Sequence, residues 1–439
     1  MAAPLNRQYA GVRPATSPRV TGREAGVTSA AAARPDESAR YLIYSHDTYG
    51  LGHFRRCLKI ARQIVTQDSG CSVLLVTGSP LADRFEMPEG VDFVKLPAVL
   101  KSGSDEYRSR SLGLSIERIG RLRADIIGAA ASSFSPHAVL VDHAPLGLRS
   151  EILPMLDSQR RKPDRPFIVL GLRDIIDEPG TVMARWNTDN TYRLIEDYYD
   201  QILVYGAPSC FDPVTAYEFP GTLSGRTSFV GFVTESSLPS PVEMPHSDRP
   251  FVLVTVGGGE DGAVIVDAVI DAIASIPGHP EFETVILAGP LLAESRIREL
   301  TGRAENLPVR IEHFIPEVPR LMREADLVVS MGGYNSVAEI LSHARRALII
   351  PRESPRLEQL MRATRLNELG LVDLLRLPDL TATALRNAIR RAMSDPAVPL
   401  AQARLNGMIP LDGAARVASL LNSQTKSRRS GRPQEADGE

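Results

Sequence analysis

From Arg40 onward, short apolar runs alternate with longer stretches in which apolar residues recur every three to four positions. A run such as Tyr41–Ser45 is typical of a strand that is buried on both faces. The stretch that follows it, 52–67, places one set of apolar residues on a single helical face, namely Phe54, Cys57, Leu58, Ala61, Ile64 and Val65. Buried strands separated by amphipathic helices indicate an α/β fold with a parallel sheet covered on both sides.

The same pattern predicts two successive sets of elements. In the first set we expect strands at 41–45, 72–77, 91–96, 138–141, 167–172, 202–205 and 227–233, with helices at 52–67, 115–133 and 148–158. In the second set we expect strands at 251–256, 284–288, 309–314, 327–330 and 347–350, with helices at 261–276, 293–302, 317–325, 334–344, 355–369 and 381–394. A last helix near 413–421 is expected to pack back on the first set.

A proline-rich segment without apolar periodicity, 234–249, separates the two sets and is typical of a linker. It predicts an N-terminal domain at 40–233 and a C-terminal domain at 250–423. The two ends of the chain, 1–39 and 424–439, are polar and poor in periodic apolar residues, so we expect both to be disordered. Because residues 1–39 are also rich in arginine and poor in acids, an organellar transit peptide is the alternative interpretation of that end.

Composition narrows the class of protein. A chain of 439 residues with 43% apolar residues can build more than one core. The net charge of −3 gives no electrostatic reason to expect a nucleic-acid partner. Cys57, Cys71 and Cys210 stand far apart, which argues against a disulfide framework or a zinc site. Since no apolar run approaches the roughly 20 residues of a membrane-spanning helix, we expect a soluble cytoplasmic protein, with peripheral membrane contact left open.

The segment Leu327–Pro351 carries the strongest chemical signal. A predicted strand ends in Gly332-Gly333 and leads directly into a helix that begins at about Tyr334. Glycines allow close backbone approach, and the free N–H groups of a helix N-terminus bind phosphate without a metal. Glu339, less than two turns into the helix, could accept hydrogen bonds from ribose hydroxyls. The alternative is that Ser336-x-x-Glu339 is only a capping box.

The loop after the first strand, Ser45–His53, is the second candidate. Gly50 and Gly52 make a flexible turn, and His53 falls at the start of the following helix. A helix N-terminus favours the neutral form of histidine, which can act as a general base. Arg55 and Arg56 come next, although cations at this end oppose the helix dipole, so we expect an anion nearby. The alternative for His53 is a buried or capping histidine.

Three further strand-to-helix loops have polar or glycine-rich sequences. Gly257, Gly258 and Gly259 offer a row of backbone donors, although a plain tight turn is the alternative, and the spacing fits neither a dinucleotide fingerprint nor a Walker loop. Phe314 and Ile315 could contact the edge of a nucleobase with backbone groups and stack on it with their apolar side chains. Glu358 and Gln359, after a Ser354-Pro355 pair that suits a helix start, could bind sugar hydroxyls. No D-x-D or H-E-x-x-H motif is present, so a metal-held diphosphate is not indicated.

With these motifs the chain resembles GT-B glycosyltransferases, close to family 28 and the MurG-type enzymes that use UDP-sugars. More narrowly, it resembles a subgroup of MurG-like predicted glycosyltransferases, in the segments Leu51–Arg56, Ser150–Pro154 and Phe167–Asp174. The resemblance covers about 41–421. It implies two Rossmann-like, doubly wound domains facing across a cleft, a UDP-sugar as co-substrate, and no cofactor or metal.

The resemblance also implies roles for individual residues. It assigns activity to His53, and we add Asp47 as a second candidate base. On the acceptor side we expect Gly50, Gly52, Arg56, Asp142, His143, Arg173 and Asp174, with Asp142, His143 and Asp174 as reserve bases. On the nucleotide-sugar side we expect Gly257, Gly258, Gly259, Phe314, Ile315, Met331, Gly332, Gly333, Asn335, Ser336, Glu339, Glu358 and Gln359. Met331 stands where MurG-type enzymes have arginine, so a small molecule, a glycan and a lipid-linked molecule all stay open as acceptors.

The expected reaction is an inverting displacement at the anomeric carbon by an acceptor hydroxyl. Three alternatives remain. A UDP-sugar hydrolase of the PseG type has a similar G-x-G-H-x-x-R loop, which Gly50, Gly52, His53 and Arg56 satisfy. A UDP-N-acetylglucosamine 2-epimerase shares the architecture. A nucleotide-sugar-binding protein without catalysis is the alternative from another class.

Overall fold

The computed structural model describes residues 38–46, 52–101, 107–235, 249–257, 262–278, 280–289, 292–313, 315, 318–344, 346–394 and 408–430. Five predicted site residues lie outside this part of the chain: Asp47, Gly50, Gly258, Gly259 and Phe314. Most of the predicted linker and of the predicted tails lies outside it as well.

The N-terminal half is built on a sheet of parallel strands. Its strands are β1 Arg40–Ser45, β2 Ser72–Thr77, β3 Val91–Lys95, β6 Ala138–Asp142, β7 Phe167–Arg173, β8 Gln201–Tyr205 and β9 Thr227–Phe229. They are ordered β3-β2-β1-β6-β7-β8-β9, and a separate antiparallel hairpin joins β4 Val99–Lys101 to β5 Tyr107–Ser109. Every residue of β6 is buried, which accounts for its uninterrupted apolar sequence.

Helices cover both faces of this sheet. They are α1 Gly52–Gln67, α2 Ile116–Phe134, α3 Leu153–Arg160, α4 Pro179–Thr188, α5 Thr191–Tyr198, α6 Pro213–Ala216 and α7 Gly221–Ser224, with 3-10 turns at Ala82–Arg84 and Leu148–Ser150. The prediction for α1 is confirmed to the residue. The hairpin and the helices α4 to α7 were not predicted.

The C-terminal half repeats this plan around a second parallel sheet. Its strands are β10 Phe251–Thr255, β11 Glu283–Leu287, β12 Val309–Glu312, β13 Leu327–Ser330, β14 Ala347–Ile349 and β15 Asp373–Leu374, in the order β12-β11-β10-β13-β14-β15. Its helices are α8 Ala263–Ala274, α9 Glu294–Ala304, α10 Val318–Glu324, α11 Tyr334–His343, α12 Glu358–Glu368 and α13 Ala382–Ser394, with a 3-10 turn at Leu377–Asp379. The predicted α/β fold with two doubly wound sheets is confirmed.

Both sheets reverse their strand order beside their first strand. In the N-terminal sheet β1 lies between β2 and β6, and in the C-terminal sheet β10 lies between β11 and β13. In sheets of this kind a crevice forms at the carboxyl ends of the strands flanking the reversal, and ligands bind there. The loops after β1, β6, β10 and β13 are therefore the places to look for chemistry.

The last helix, α14 Gly413–Ser430, returns to the N-terminal half. Gln67 at the end of α1 donates a hydrogen bond from Nε2 to the carbonyl of Ala415 at 3.0 Å, and the guanidinium of Arg428 lies 4.8 Å from the centre of the Phe167 ring. The predicted disorder from 424 is therefore wrong as far as Ser430. The sequence did not reveal this because the apolar face fades after Leu421.

Two segments in the described part of the chain, one at the end of the N-terminal set of elements and one before α14, lie side by side. The backbone N–H of Phe232 donates to the carbonyl of Pro410 at 2.8 Å, and the N–H of Gly413 donates to the carbonyl of Phe232 at 3.0 Å. Gly231 must be glycine here, since a Cβ would come within 2.4 Å of the Pro410 carbonyl oxygen.

Two smaller predictions need correction. The N-terminal tail was expected to reach residue 39, but Ala39 is buried and its carbonyl accepts from the N–H of Ser72. Helix α12 starts at Glu358, with Leu357 as its N-cap, so Ser354 and Pro355 precede the helix instead of opening it. Within the described residues, no helix combines the length and apolarity needed to cross a membrane.

Candidate active site

The candidate site residues of the two halves meet at one boundary. The N-terminal end of α1 and the carboxyl ends of β6 and β7 come from one half, and the starts of α11 and α12 come from the other. Direct hydrogen bonds join the two sides, for example from Asn335 Nδ2 to the carbonyl of Gly52 at 2.7 Å. The structure thus brings together residues that the sequence analysis placed in separate loops.

His53 and Asp142 form a hydrogen-bonded pair at this boundary. The Nδ1 atom of His53, the second residue of α1, lies 2.6 Å from Oδ2 of Asp142 at the end of β6. Asp142 is fully buried, whereas the His53 side chain keeps 22% of its surface exposed. The imidazole is therefore anchored on one side and reachable on the other.

The geometry defines the tautomer of His53. An unprotonated Nδ1 would set its lone pair against the carboxylate oxygen at 2.6 Å, so Nδ1 carries the proton and donates it to Asp142. Arg56 Nη2 lies 2.9 Å from the same Nδ1, a close contact that results from both groups sharing one carboxylate. In the neutral ring, Nε2 is then the nitrogen with a free lone pair, as a general base requires.

Arg56 binds Asp142 with both arms of its guanidinium. Nε donates to Oδ1 at 2.8 Å and Nη2 donates to Oδ2 at 2.7 Å. Burial disfavours the charged form of Asp142, but Arg56 and His53 outweigh burial and hold the pKa of this carboxyl well below its usual range. Asp142 is thus a permanent anion, which removes it from the reserve bases and makes it the partner of His53.

Glu339 of α11 is held by two cations of α1. Arg55 Nη2 and Lys59 Nζ both donate to its Oε1 atom, at 2.6 and 3.0 Å. Burial alone would raise the pKa of Glu339, yet the two cations bring it below its usual value. Protein carboxylates thus supply the negative charge expected near these arginines: Glu339 pairs with Arg55, and Asp142 pairs with Arg56. The two arginines therefore do not require a bound anion.

The capping-box alternative for Ser336 and Glu339 is wrong. Helix α11 has Gly333 as its N-cap, and no side chain caps it. Ser336 is therefore the third helical residue, inside the first turn, and the Glu339 carboxylate is used in contacts between the two halves. The first-turn N–H groups of α11 keep the capacity to bind an oxyanion.

The two glycines before α11 differ in their surroundings. Gly332 has a φ of +74°, and a Cβ there would come within 2.7 Å of the Ile349 side chain. A Cβ on Gly333, in contrast, would meet no atom within 4 Å, so open space lies beside the start of the helix. The sequence predicts that a diphosphate binds at this helix start.

Tyr334 was not predicted as a site residue although it belongs to the same motif. Its hydroxyl accepts the N–H of Val233 at 3.0 Å, and its ring stacks on Phe232 with centroids 5.5 Å apart. The guanidinium groups of Arg56 and Arg362 lie 5.1 and 5.9 Å from the ring centre. Tyr334, the first residue of α11, is thus held against the N-terminal half. Its place directly after Gly332-Gly333 is the sequence feature from which its role could have been predicted.

Asp174 and Arg362 form a buried ion pair across the boundary. Arg362 of α12 donates to both carboxylate oxygens of Asp174, at 2.7 and 2.8 Å, and also to the carbonyl of Gly332 at 3.2 Å. The side chain of Arg362 is 1% exposed and that of Asp174 is 0% exposed. Asp174 is thus bound by protein groups, which does not fit its prediction as an acceptor-side reserve base. The pairing of Arg362 could not be predicted from the sequence, because Asp174 lies 188 residues away along the chain.

His143 and Arg173 lie next to the His53 pair. Arg173 Nη2 lies 3.1 Å from Nε2 of His143, and the His143 and His53 ring centres are 5.3 Å apart. Burial and Arg173 lower the pKa of His143 well below its usual value, and burial with His53 lowers the pKa of His46 to about 3. Both rings are therefore neutral at neutral pH, which makes Nε2 of His143 an acceptor for Arg173.

The remaining predicted residues all belong to the C-terminal half. Glu358 and Gln359 open α12 and are nearly buried, and Gln359 Oε1 accepts the N–H of Arg352 at 3.1 Å. Ile315 is partly buried against the core, and Gly257 follows β10 with a φ of +67°. Met331 is packed in the core of the C-terminal half, which removes its side chain from the candidate contacts.

Comparison with known families agrees with this architecture. Residues 251–417 match the glycosyltransferase family 28 C-terminal domain. A relative from Rhodopseudomonas palustris (strain BisB18) is 24% identical over 257 residues, which are 58% of this chain and 66% of the relative. It is named UDP-N-acetylglucosamine--N-acetylmuramyl-(pentapeptide) pyrophosphoryl-undecaprenol N-acetylglucosamine transferase. The chain spans 66%, 59% and 36% of the lengths of three such transferases.

Solved structures show the same fold. The kitacinnamycin glycotransferase superposes with a TM-score of 0.61 at 17% identity, over 88% of this chain and 99% of that one. MurG of Acinetobacter baumannii superposes with a TM-score of 0.54 at 14% identity, over 88% and 99% of the two chains. The resemblance to MurG-like proteins of the GT-B fold is thereby confirmed.

Proposed function

We propose that this chain, a MurG-like protein with the GT-B fold and a family 28 C-terminal domain, transfers a hexose or N-acetylhexosamine from a UDP-sugar to a hydroxyl acceptor. The observation that carries the proposal is the His53–Asp142 pair at the boundary between the halves. It supplies a base beside the helix that is suited to hold the leaving group. Asp47 stays a second candidate base, since it lies outside the described residues.

In the proposed reaction, His53 Nε2 takes the proton of the acceptor hydroxyl as its oxygen attacks the anomeric carbon. The carbon–oxygen bond to the diphosphate breaks on the opposite face, so the anomeric configuration inverts, and UDP leaves with the bonding electrons. Asp142 holds Nδ1 and stabilises the imidazolium that forms, as a buried carboxylate does for a histidine base. Its ion pair with Arg56 keeps it charged throughout.

The departing diphosphate needs positive electrostatic potential. The start of α11 offers N–H groups free of side-chain caps, with open space beside Gly333. Such donors, fixed before the reaction, stabilise developing negative charge without reorganisation. We therefore propose that backbone amides, with Gly257 on the neighbouring loop, bind the diphosphate and that the reaction uses no metal ion.

Unsatisfied polar atoms on both halves favour a polar ligand between them. Among the described residues, His143 Nδ1 and Arg173 Nε on one side, and Asn335 Oδ1 and Glu358 Oε2 on the other, are buried without a hydrogen-bond partner. Leaving such atoms unpaired costs about 1–3 kcal/mol each. A sugar, with its many hydroxyls, is suited to satisfy donors and acceptors together.

Ligand binding and product analysis test this proposal. We expect UDP to raise the melting temperature more than GDP or dTDP does, and UDP-sugars to be converted only when an acceptor hydroxyl is supplied. Conversion of the UDP-sugar to free sugar without acceptor would instead indicate a hydrolase, and interconversion of the sugar would indicate an epimerase. No stabilisation by any of the three nucleotides would contradict the proposed function.

Glu339→Ala is expected to weaken UDP binding by about 1–3 kcal/mol, the scale of lost hydrogen bonds to a charged group. In the unliganded arrangement Arg55 and Lys59 occupy the carboxylate. Ribose hydroxyls must therefore replace or join these cations. Isothermal titration calorimetry with UDP measures the effect.

Lys59→Met is the matched control, because it removes a cation from Glu339 but leaves the carboxylate in place. If Glu339 binds ribose, this variant keeps wild-type UDP affinity or exceeds it. Equal weakening in both variants would mean that Glu339 acts only by joining the two halves.

A further inference from the structure

The arginines near the site differ in how their charge is neutralised. Arg56, Arg123 and Arg362 each bind a buried carboxylate with two hydrogen bonds of 2.6–2.8 Å. Arg173 does not follow this pattern. Its ion pair in the described part of the chain is with Glu358, at 4.0 Å, beyond hydrogen-bond distance.

The hydrogen bond that Arg173 does make is to a neutral group. Its Nη2 donates to His143 Nε2 at 3.1 Å, and its Nε is buried without a partner. Since Nε2 of His143 accepts, the proton of that ring is on Nδ1, which is also buried without a partner. Two neighbouring side chains thus each carry an unused N–H donor.

The charges around Arg173 leave it under-compensated. Of the groups that influence it most, Glu358 is acidic, whereas Arg56, Arg362 and Arg356 are cations. Glu358 is itself shared with Arg352, whose Nη2 lies 3.4 Å from Oε1. Burial together with these cations lowers the pKa of Arg173, with Glu358 opposing them. The Arg173 side chain is 13% exposed, and a partly buried cation of this kind is stabilised by an added anion.

The backbone at His143 adopts a conformation that is uncommon for residues other than glycine. His143 has a φ of +66°, in the left-handed region that few residues other than glycine adopt. Its N–H donates to the carbonyl of Gly171 at 2.6 Å, which holds this conformation. Strained residues of this kind are concentrated at ligand-binding and catalytic sites.

We propose that Arg173, positioned by His143, recognises an oxyanion, a carboxylate or a phosphate, on the substrate group that lies next to His53. This inference rests on the proposed function and narrows its substrate class, since a neutral sugar transferred to a neutral acceptor would leave Arg173 without an anion within hydrogen-bond distance. The oxyanion has two conceivable sources: the transferred sugar, as in a uronic acid, or the acceptor. In both cases the fork of Arg173 Nε and Nη atoms suits a two-oxygen ligand.

The first experimental arm addresses the sugar. Calorimetry compares UDP-glucuronic acid with UDP-glucose on the full chain, for wild type, Arg173→Gln and Arg173→Lys. If the sugar carries the anion, wild type favours UDP-glucuronic acid by about tenfold or more. Arg173→Gln abolishes this preference and Arg173→Lys retains part of it. Arg193→Gln, which removes an exposed arginine of α5, serves as the control and keeps the preference.

The second arm addresses the acceptor. Protein saturated with UDP is titrated with inorganic phosphate and with acetate, while NMR follows the histidine ring resonances, assigned for His143 through His143→Gln. If the acceptor carries the anion, UDP-glucose and UDP-glucuronic acid bind equally, but one of the two small anions shifts the His143 signals saturably. The shift disappears in Arg173→Gln and persists in Arg193→Gln.

The proposal is overturned if Arg173→Gln changes neither the preference between the two donors nor the response to the small anions. Should this variant fail to fold, Arg173→Lys carries both comparisons and His143→Gln carries the comparison of the two donors, because each weakens the two-donor arrangement while keeping a polar side chain. Failure of the proposed function is seen separately, as absence of UDP binding to wild type. In that event the phosphate titration on unliganded protein still decides the role of Arg173.

Discussion

Replacing His53 with alanine is expected to lower turnover by about 10²–10⁴-fold, the usual contribution of a positioned general base. The affinity for UDP should stay near the wild-type value, because His53 lies on α1 and the proposed diphosphate site is at the start of α11. Initial rates of UDP release with a saturating acceptor measure the first quantity, and calorimetry with UDP measures the second. A large change in UDP affinity with unchanged turnover would reverse the assignment.

Asp142→Asn sharpens this test, because the amide has nearly the shape of the carboxylate but no charge. It should reduce turnover through loss of the Nδ1–H anchor, and it also leaves Arg56 without its counterion. A melting curve must therefore accompany the kinetics, to separate loss of the base from loss of structure. Wild-type turnover in His53→Ala would remove the pair from the mechanism.

Asp174→Ala and Arg362→Ala are each expected to destabilise the protein by about 3–5 kcal/mol, since each leaves a buried charge without its partner. Both side chains are almost inaccessible to water and come from different halves of the molecule. The loss should appear as a lower melting temperature and, because the pair joins the halves, as easier proteolysis between them.

A double variant, Asp174→Leu with Arg362→Met, is the informative companion. Removing both charges avoids an uncompensated ion, so the double variant should be more stable than the sum of the two single effects predicts. The exposed pair Asp157–Arg161 at the C-terminal end of α3 provides the control, with an expected effect of about 0–1 kcal/mol. Simple additivity at Asp174 and Arg362 would mean that the two side chains are not coupled.

Much of the fold could be predicted from the sequence because its buried strands and amphipathic helices are strongly patterned. Helix α1 and the strand–glycine–helix unit of β13 and α11 are confirmed, since local periodicity and glycine placement are enough to define them. Helix α14 beyond Leu421 was not predicted, because tertiary contacts with α1 stabilise it where its own sequence is polar.

The site was less accessible to such reasoning, for a physical reason. A sequence shows which residues end a strand or open a helix, but not which carboxylate each cation selects. Arg55, Arg56 and Arg362 all find acidic partners more than 80 residues away along the chain. Their pairing depends on how the two sheets face each other. The orphaned donors of Arg173 and His143 could likewise be identified only after their neighbours were in place.

The two hydrogen-bonded segments at Phe232 and Pro410 bear on how the two halves can move relative to each other. Because the segments at Phe232 and Pro410 are hydrogen-bonded to each other, we expect any opening of the two halves to bend at this one place. A substrate entering from the open edge would therefore meet His53 and the start of α11 in a constant relative orientation at each closure. Severing the backbone before α14 should release this restraint and let the lobes sample misaligned states.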